Sequence, residues 1–280
     1  MELFSKKNLK NLLREHRIYP KKRFGQNFLI DKRVLKKIIK VADLKRRDSV
    51  LEIGPGTGSL TVELAKRVKK VIAIEKDKKM VEFLKELLEC WNIRNVRIMK
   101  GDILEIGNWK LEIRNSYKVV ANLPYYIVPP VIRKFLENKN PPKEMILMVQ
   151  KEVAQRTCAK PPNMNLLAVS VQFYSKPEII SFVSKSSFWP QPKVDSAILK
   201  IVPRKSTLLS ASIRGRFFRI AKAGFSQPRK QIINNLTKGL KIDREKIKNW
   251  LLKNKIRVSQ RAENLSLKDW LNLTKTFNFK

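Results

Sequence analysis

Five short, β-rich runs alternate with helix-length segments across residues 48–150, and no other feature of this sequence constrains its fold as much. The runs are SVLEIG, KVIAIE, VRIMKGD, YKVVAN and MILMVQ. Strands that alternate with helices form a parallel sheet covered by helices on both faces. Functional side chains of such a sheet collect at the carboxyl ends of its strands. The sequence therefore predicts an α/β fold with a site at one rim of a sheet.

The segment DKKMVEFLKELLECW, between the second and third runs, has the apolar spacing of an amphipathic helix. Its predicted buried face consists of Met80, Val81, Phe83, Leu84, Leu87 and Leu88.

The pattern changes after Lys151. The segments NLLAVSVQFYSKPEIISFV and DSAILKIV follow without a long helix between them, and we expect antiparallel strands that close the sheet edge. Apolar periodicity lapses over residues 203–212, and four short basic segments with helical spacing come next. We expect a basic arm over residues 1–22, an α/β domain over 23–204 and a small all-helical domain over 205–280.

The chain is strongly basic, and the charge is concentrated at its two ends. Lys and Arg number 61 against 24 Asp and Glu, which gives a net charge of +37 and an isoelectric point of about 10.4. Residues 1–47 hold 16 basic and 4 acidic side chains, and residues 204–280 hold 20 and 4. Basic flanks around a more neutral centre indicate phosphate contacts around an enzyme core. The alternative is a surface on which lysines only keep the chain in solution.

Composition excludes several kinds of chemistry. His16 is the only histidine, so Ser-His-Asp, Cys-His and His-ligated zinc sites are excluded, and we expect no metal. Cys90 and Cys158 lack a C-x-x-C spacing and are expected to be reduced packing residues of a cytoplasmic protein. No apolar run approaches the roughly 20 residues of a membrane span, and we expect a soluble protein with no membrane partner. A basic organellar leader is a weaker alternative, because Glu2 and Glu15 interrupt it.

A strand, a glycine-rich turn and a helix follow one another in VLEIGPGTGSLTVELA, residues 50–65. Gly54, Gly56 and Gly58 allow the backbone to approach a ligand closely. Tight strand-to-helix turns also use glycine for steric reasons alone, so the turn by itself is weak evidence.

Carboxylates end three successive runs, at Glu52, Glu75 and Asp102. An acid about 20 residues past such glycines is placed to bind ribose hydroxyls, and Asp102 could accept from an adenine amine. Three acids would repel a pyrophosphate, which favours S-adenosylmethionine over a dinucleotide. The alternative is that each acid only caps a turn.

The fourth run ends in NLPYY. An adenine amine is a poor nucleophile until its lone pair is released from the ring. The amide oxygen of Asn122 and a backbone carbonyl of the stiff Leu123–Pro124 turn can accept its two N–H bonds, while Tyr125 stacks on the base. An adenine bound in this way must be flipped out of any duplex. The alternative is an Asx-turn before a proline.

These motifs resemble the KsgA/RsmA family of small-subunit rRNA adenine N6,N6-dimethyltransferases, from about residue 22 to the C-terminal helices. The matching stretches are RFGQNFLID, EIGPGTG, IE, GD, NLPY, VQKEVAQR, FWPQPKVDSA and FSQPRKQIINNL. Two positions depart from the family pattern: Tyr126 and its successors follow NLPY, and Pro228 stands where a basic residue is common. The resemblance implies a Rossmann-like S-adenosylmethionine-dependent methyltransferase sheet with a helical rRNA-binding domain.

Site residues follow from the pattern and the resemblance together. The predicted cofactor-binding residues are Gln26, Asn27, Leu29, Glu52, Gly54, Gly56, Gly58, Glu75, Lys76, Asp102, Ile103 and Asn122. The predicted catalytic residues are Asn122, Leu123, Pro124, Tyr125 and Phe188, the last as a second stacking wall for the target base. The predicted RNA-binding residues are Lys22, Arg23, Arg229 and Lys230.

The resemblance implies dimethylation of two adjacent adenosines near the 3′ end of 16S rRNA, four transfers in all, with a role in subunit biogenesis. The expected partners are the small ribosomal subunit and its rRNA, and we expect a monomer. Three alternatives stay open: a large-subunit (23S) methyltransferase of the macrolide-resistance type, a non-catalytic ribosome-assembly factor, and a DNA adenine methyltransferase. FGQNFL and QKEVAQR favour the small-subunit enzyme over the first of these.

Overall fold

A computed structural model describes residues 5–107, 116–204 and 211–279, which form two compact units. One unit comprises Met1–Ala154 with Pro177–Pro203, and the other Gln155–Lys176 with Arg204–Lys280. The second unit thus includes a segment that the sequence suggested for the 23–204 domain. The lapse over 203–212 lies mostly outside the described residues, and the predicted domain boundaries stay a prediction.

The first unit is built on a mixed seven-stranded sheet of order β4-β3-β2-β5-β6-β9-β7. The strands of the described residues are β1 Phe28–Leu29, β2 Ser49–Ile53, β3 Lys70–Glu75, β4 Val96–Lys100, β5 Lys118–Asn122, β6 Glu144–Gln150, β7 Ser175–Val183, β8 Phe188–Trp189 and β9 Ser196–Pro203. Strands β4, β3, β2, β5 and β6 run parallel, and β9 is antiparallel to β6. The five predicted parallel strands and the antiparallel closing strand DSAILKIV are therefore confirmed.

The strand order reverses between β2 and β5, because the chain runs outward through β3 and β4 before it returns to β5. Such a reversal opens a crevice at the carboxyl ends of the strands, where open α/β sheets bind their ligands. The separate pair β1 and β8 joins Leu29 to Phe188 in antiparallel register.

Helices cover both faces of the sheet and provide the second unit. Those of the described residues are α1 Lys6–Glu15, α2 Lys32–Val41, α3 Ser59–Ala65, α4 Lys78–Cys90, α5 Val128–Leu136, α6 Lys151–Thr157, α7 Leu166–Tyr174, α8 Ala211–Gly224, α9 Ile232–Leu240, α10 Arg244–Lys253 and α11 Leu267–Lys275. The six apolar positions predicted for α4 are all buried, and Asp77 caps that helix by accepting from the N–H of Lys79. None of the described helices is both long and apolar enough to cross a membrane.

Residues 1–22 do not form a detached arm over the part that the structure describes. Helix α1 buries Leu9, Leu12 and Leu13 in one cluster with the apolar face of α4. Lys6, Lys7, Lys10 and Arg14 lie on its outer face. Burial of three leucines contributes about 5 kcal/mol or more, which explains why a basic segment is docked. Residues 1–4 lie outside the described residues.

A buried lysine ties together the amino-terminal ends of the central strands. Lys118 is 7% exposed. Its ammonium donates to the carbonyl oxygens of Ala42 and Asp43, at 2.7 and 2.8 Å, and lies 2.9 Å from a carboxylate oxygen of Glu144. Loss of one partner from such a network leaves an uncompensated buried charge and costs about 3–5 kcal/mol. The network is thus structural and lies at the sheet end opposite the predicted site.

The prediction of a strand beginning at residue 165 is wrong, because Leu166–Tyr174 is the helix α7. The side chain of Asn165 accepts from the N–H of Ala168 at 3.0 Å and starts the helix. Residues 169–173 alternate apolar and polar side chains as a strand does, so the local pattern favours the wrong element. The ring centres of Phe173 and Phe217 of α8 lie 4.2 Å apart, so this segment packs inside the second unit.

The four predicted C-terminal helices are confirmed as α8 to α11. Asn235, which is 3% exposed, donates to the carbonyl oxygens of Gly224 and Gln227 and so joins α9 to the end of α8. Trp270 of α11 lies against Gly224, where a Cβ atom would come within 2.3 Å of its ring. Of the two cysteines, Cys90 is exposed, so its prediction as a packing residue is wrong.

Candidate active site

One pocket gathers most of the predicted site residues at the carboxyl ends of β2, β3 and β5. Its empty volume, including the open mouth, is about 1030 Å³. The lining includes these predicted residues: Gln26, Asn27, Leu29, Glu52, Gly54, Gly56, Glu75, Lys76, Asp102, Ile103, Asn122, Leu123, Pro124 and Tyr125. Gly58 lies one turn further, under α4, and a Cβ atom there would come within 2.6 Å of Leu84.

The glycine turn between β2 and α3 adopts a left-handed backbone. Gly54, Gly56 and Gly58 have φ angles of +67°, +53° and +80°, which side chains rarely adopt. A Cβ atom on Gly56 would also come within 3.1 Å of the ring of Phe28. Both requirements exclude a side chain, so the turn presents bare backbone to the pocket.

Glu52 is a buried acid with no cationic partner among the described residues. It is 1% exposed, and its Oε2 atom has no hydrogen-bond partner among the described residues. Burial raises the pKa of Glu52 to about 8, and the nearby Glu75 adds to the rise, while the hydroxyl of Thr61 opposes it. An unpartnered, buried carboxyl group in a pocket wall is suited to a ligand that donates to it.

Glu75 holds the glycine turn in place. Its carboxylate accepts from the N–H of Asp77 at 2.8 Å and from the N–H of Gly56 at 3.3 Å. Burial raises the pKa of Glu75 above its usual value, although these backbone donors oppose the rise. The acid predicted to bind ribose therefore also joins the end of β3 to the turn after β2.

Asp102 and Lys76 form an ion pair at the pocket rim, with 2.8 Å between Nζ and Oδ2. Asp102 also accepts from the N–H of Leu104 at 2.9 Å. Burial by itself would raise the pKa of Asp102, but Lys76 and the Leu104 N–H outweigh it, and the pKa is lowered. Lys76, itself a predicted cofactor-binding residue, is thus paired with the acid that is predicted to bind adenine.

Asn122 is oriented by a segment that lies 95 residues earlier in the chain. Its Nδ2 donates to the backbone carbonyl of Asn27 at 3.0 Å, and Asn27 in turn donates from its side chain to the carbonyl of Gly25 at 3.1 Å. Gly25 packs on Pro124, since a Cβ atom there would come within 3.2 Å of the proline ring. With Nδ2 engaged, Oδ1 is the half of the Asn122 amide that can accept from a substrate.

The backbone after Asn122 leaves one carbonyl for the pocket. The Leu123 N–H donates to the carbonyl of Met148 at 3.3 Å, and the Pro124 carbonyl accepts from the N–H of Ile127 at 3.1 Å. The Pro124 carbonyl is thus already engaged, and the Leu123 carbonyl stays the predicted second acceptor. Tyr125 hydrogen-bonds through its hydroxyl to Oγ of Ser196 at 2.7 Å, which fixes the ring.

Phe188 lies elsewhere than its predicted role requires. It is 3% exposed and packs in the core with Leu29, and it is not among the described residues that line the pocket. Its ring would have to move to face a base. Gln26 lines the pocket, but its side chain accepts from the N–H of Lys21 and donates to Asp77, which ties the 25–29 segment to the start of α4.

A family model described as ribosomal RNA adenine dimethylase matches residues 19–278. A ribosomal RNA small subunit methyltransferase A from Dehalococcoides mccartyi is 43% identical over 265 residues, which cover 94% of this chain and 90% of that protein. The enzyme of the same name from Geobacillus kaustophilus is 38% identical and covers 95% of this chain and 93% of its own. This chain belongs to the ribosomal RNA adenine dimethylase family.

Two solved structures resemble this family member over most of its length. A dimethyladenosine transferase from Plasmodium falciparum has a TM-score of 0.74 and 31% identity, over 88% of this chain and 95% of that one. The 23S rRNA methyltransferase ErmE has a TM-score of 0.73 and 26% identity, over 89% and 98%. The predicted Rossmann-like methyltransferase fold is confirmed.

The dimethylase family depends on S-adenosylmethionine, and the pocket of this member fits that molecule. The unpartnered Oε2 of Glu52 can accept from the ammonium of its methionine part. The bare backbone at Gly56 leaves room that a side chain would fill. Glu75 and Asp102 stand at the next two strand ends, where the ribose and the adenine are predicted to bind.

The predicted RNA-binding residues of this family member lie on its surface. Lys22 and Arg23 are exposed in the turn before β1, where the Arg23 guanidinium lies 4.9 Å from the ring centre of Phe24. Arg229 and Lys230 are exposed between α8 and α9 in the second unit. Their roles stay a prediction.

Sequence reasoning missed several residues of this site. Gly25 and Phe28 line the pocket, Ser196 holds Tyr125, and Tyr126 lines the pocket while 57% exposed. Ser196 lies in the quoted stretch FWPQPKVDSA, but only the fold brings the start of β9 beside the end of β6. In the sequence, Tyr126 is visible only as a departure from the family pattern.

Proposed function

We propose that this protein is an rRNA adenine N6,N6-dimethyltransferase that modifies two adjacent adenosines near the 3′ end of 16S rRNA in the small ribosomal subunit. The names of its relatives and the family model support this activity. The observation that carries the proposal is the Asn122 amide in the pocket wall, whose Nδ2 donates to the Asn27 backbone and leaves Oδ1 as its acceptor atom.

When bound, S-adenosylmethionine supplies an electrophilic methyl group on its sulfonium sulfur. Asn122 Oδ1 and the Leu123 carbonyl accept the two N–H bonds of the target amine. This draws its lone pair out of the ring and aims it at the methyl group. Tyr125, held by Ser196, provides a face for the base to stack on.

No side chain has to act as a general base in this scheme. The methylated ammonium is acidic enough to lose its proton to water. Catalysis then depends on positioning two reactants in line, which is worth many orders of magnitude in effective concentration. Asn122, whose orientation is set by backbone rather than by a titrating partner, suits such a role.

The same pocket must act on the amine twice to dimethylate it, and on two adenosines. After one transfer the amine retains a single N–H, so only one of the two acceptors can be used in the second. We propose that the base stays aligned through stacking on Tyr125 in that step. We also propose that the protein works as a monomer, in the cytoplasm, on the small subunit and its rRNA, with a role in subunit biogenesis.

Methyl transfer to purified subunits tests this proposal. Small and large subunits from a strain that lacks these modifications are incubated with the protein and radiolabelled S-adenosylmethionine, and the products are mapped to single nucleotides. We expect four methyl groups on two neighbouring adenosines of the small subunit. Label on the large subunit alone would favour the 23S activity of the ErmE type. Binding without any label would favour an assembly factor.

A further inference from the structure

An exposed aromatic ring lies outside the pocket, on the last strand of the sheet. Phe182 belongs to β7 and is 54% exposed. Single exposed apolar residues are common, so exposure alone indicates nothing. Here, however, the ammonium of Lys151 lies 5.1 Å from the ring centre. A second apolar residue, Val194, is 45% exposed. Its neighbour Asp195 accepts the backbone N–H of Lys151 through its carbonyl at 3.0 Å, which brings Val194 close to Lys151.

This group lies on the same rim of the sheet as the catalytic segment. Strand β6 ends at Gln150, directly before Lys151, and Gln150 pairs with Ser196. Ser196 holds the hydroxyl of Tyr125, three residues after Asn122. One hydrogen bond and one strand pair therefore connect the pocket to the surface around Phe182.

Two further lysines are close in sequence to this group. Lys185 follows Phe182 by three residues, Lys193 precedes Val194, and both are exposed with no ion pair among the described residues. The nearby acid Asp195 accepts the backbone N–H of Lys185 at 3.0 Å, so its carboxylate serves the loop rather than a lysine side chain. An aromatic ring beside exposed cations is the arrangement by which proteins bind single-stranded nucleic acids, since bases stack on the ring and phosphates contact the cations.

We propose that Phe182 is a stacking platform for an unpaired rRNA nucleotide that flanks the target adenosine, with Lys151, Lys185 and Lys193 contacting its phosphates. A base removed from its helix leaves its neighbours unstacked, and a second aromatic surface beside the pocket compensates for that loss. The inference rests on the proposed function and adds a substrate contact to it. Phe182 acts by positioning the RNA and takes no part in the methyl transfer.

The test compares two variants of Phe182 with one control on unmethylated small subunits. Phe182→Leu keeps an apolar side chain but removes the stacking face, whereas Phe182→Trp keeps the face. Val202→Ala removes another partly exposed apolar side chain, at the opposite end of β9. Affinity for the subunit and the KM and kcat of methyl transfer are measured, together with affinity for S-adenosylmethionine.

We expect Phe182→Leu to weaken subunit binding and raise the KM for the subunit about 5- to 20-fold, the low end of what one base stack contributes. Its kcat, its cofactor affinity and the slope of binding against salt should stay at the wild-type values. Phe182→Trp and Val202→Ala should bind within about twofold of the wild type. If Phe182→Leu also bound normally, or if Phe182→Trp were as weak as Phe182→Leu, the stacking role would be refuted.

A photo-cross-linking group at position 194 distinguishes RNA from protein as the occupant. Mass spectrometry should find the attachment on rRNA nucleotides next to the methylated adenosines. Attachment to a ribosomal protein instead would overturn the proposal. If the wild-type protein failed to methylate the subunit, the proposed function would be wrong. That outcome differs from failure of the stacking proposal, in which the wild type is active and Phe182→Leu binds normally.

Discussion

At Asn122 one hydrogen bond decides which half of an amide meets the substrate. The side chain alone could present either its oxygen or its nitrogen to the pocket. Donation of Nδ2 to the Asn27 carbonyl fixes the choice. The residue therefore depends on a backbone atom of another segment, and any change to that contact should alter the rate of methyl transfer before it alters binding.

Asn122→Ala is expected to lower kcat for methyl transfer by about 100-fold or more, because an acceptor that aligns the amine is lost. Affinity for the small subunit should change less than about threefold, since it does not depend mainly on this oxygen, and any loss of S-adenosylmethionine affinity should be far smaller than the loss of rate. Single-turnover kinetics with saturating subunit measure the rate, and equilibrium dialysis measures the cofactor. Asn122→Asp, which keeps an oxygen at Oδ1 but cannot donate to Asn27, should fall between the wild type and the alanine variant. Wild-type kcat in the alanine variant would remove Asn122 from the mechanism.

Glu52 makes the stability of the ligand-free protein depend on pH. Its pKa in the folded protein is raised to about 8, above the value of the unfolded chain, so the folded state retains a proton that the unfolded state has lost. The stability that this proton contributes is fully present below the unfolded pKa and is lost as pH rises through about 8. The melting temperature of the wild type should therefore decline relative to Glu52→Gln between about pH 6 and pH 9.

Glu63→Gln is the matched control for that series. Glu63 lies on α3 and pairs with Lys66 and Arg67, which outweigh the effect of burial and lower its pKa. The stability linked to a lowered acid pKa is lost only as pH falls, so between about pH 6 and pH 9 the difference from wild type should stay constant. A constant difference for Glu52→Gln as well would mean that Glu52 is ionised in the folded protein.

At the level of elements, the turn between β2 and α3 shows why glycine is required at some positions and only tolerated at others. Gly58 has a φ of +80° and faces the fully buried Leu84. Gly215 lies inside α8, and a Cβ atom there would meet nothing within 4 Å. Gly58 is required by its backbone conformation and by the closeness of Leu84, whereas Gly215 only weakens the helix.

Gly58→Ala is expected to lower the free energy of unfolding by about 1–3 kcal/mol, through backbone strain and the clash with Leu84. Gly215→Ala should raise it by about 0.5–1 kcal/mol, because alanine favours the helix. Urea unfolding of both variants, followed by circular dichroism, measures the two changes. If both variants changed the free energy of unfolding by the same amount in the same direction, the two glycines would not differ in the way proposed.

For the whole molecule, charge and site are distributed differently along the chain. The pocket is assembled from the first unit, whereas the second unit holds a large share of the excess positive charge and none of the described pocket residues. This division predicts that RNA affinity and cofactor affinity can be changed independently.

The double variant Arg229→Ala with Lys230→Ala should weaken binding to the small subunit and lower the slope of log affinity against log salt by about 0.7–0.9 for each rRNA phosphate that is no longer neutralised. Affinity for S-adenosylmethionine should be unchanged. Lys139→Ala with Lys143→Ala removes the same charge outside both basic flanks, just before β6 at the sheet end away from the pocket, and should leave the slope near the wild-type value. Filter binding at several salt concentrations measures both. An equal loss in the two double variants would show that only total charge matters.

The sequence alone determined the sheet and the composition of its rim. Five apolar runs, a glycine turn and acids at Glu52, Glu75 and Asp102 are local features. Because parallel strands end at one edge, those local features must meet there. Only the tertiary structure decided which atoms pair at that edge, that Phe188 lies in the core, and that Leu166–Tyr174 is a helix. The alternation of residues 169–173 is that of a strand, so a local pattern favours the wrong element there. Contacts such as Asn122 with Asn27 join residues whose proximity is set by packing rather than by their neighbours in the chain.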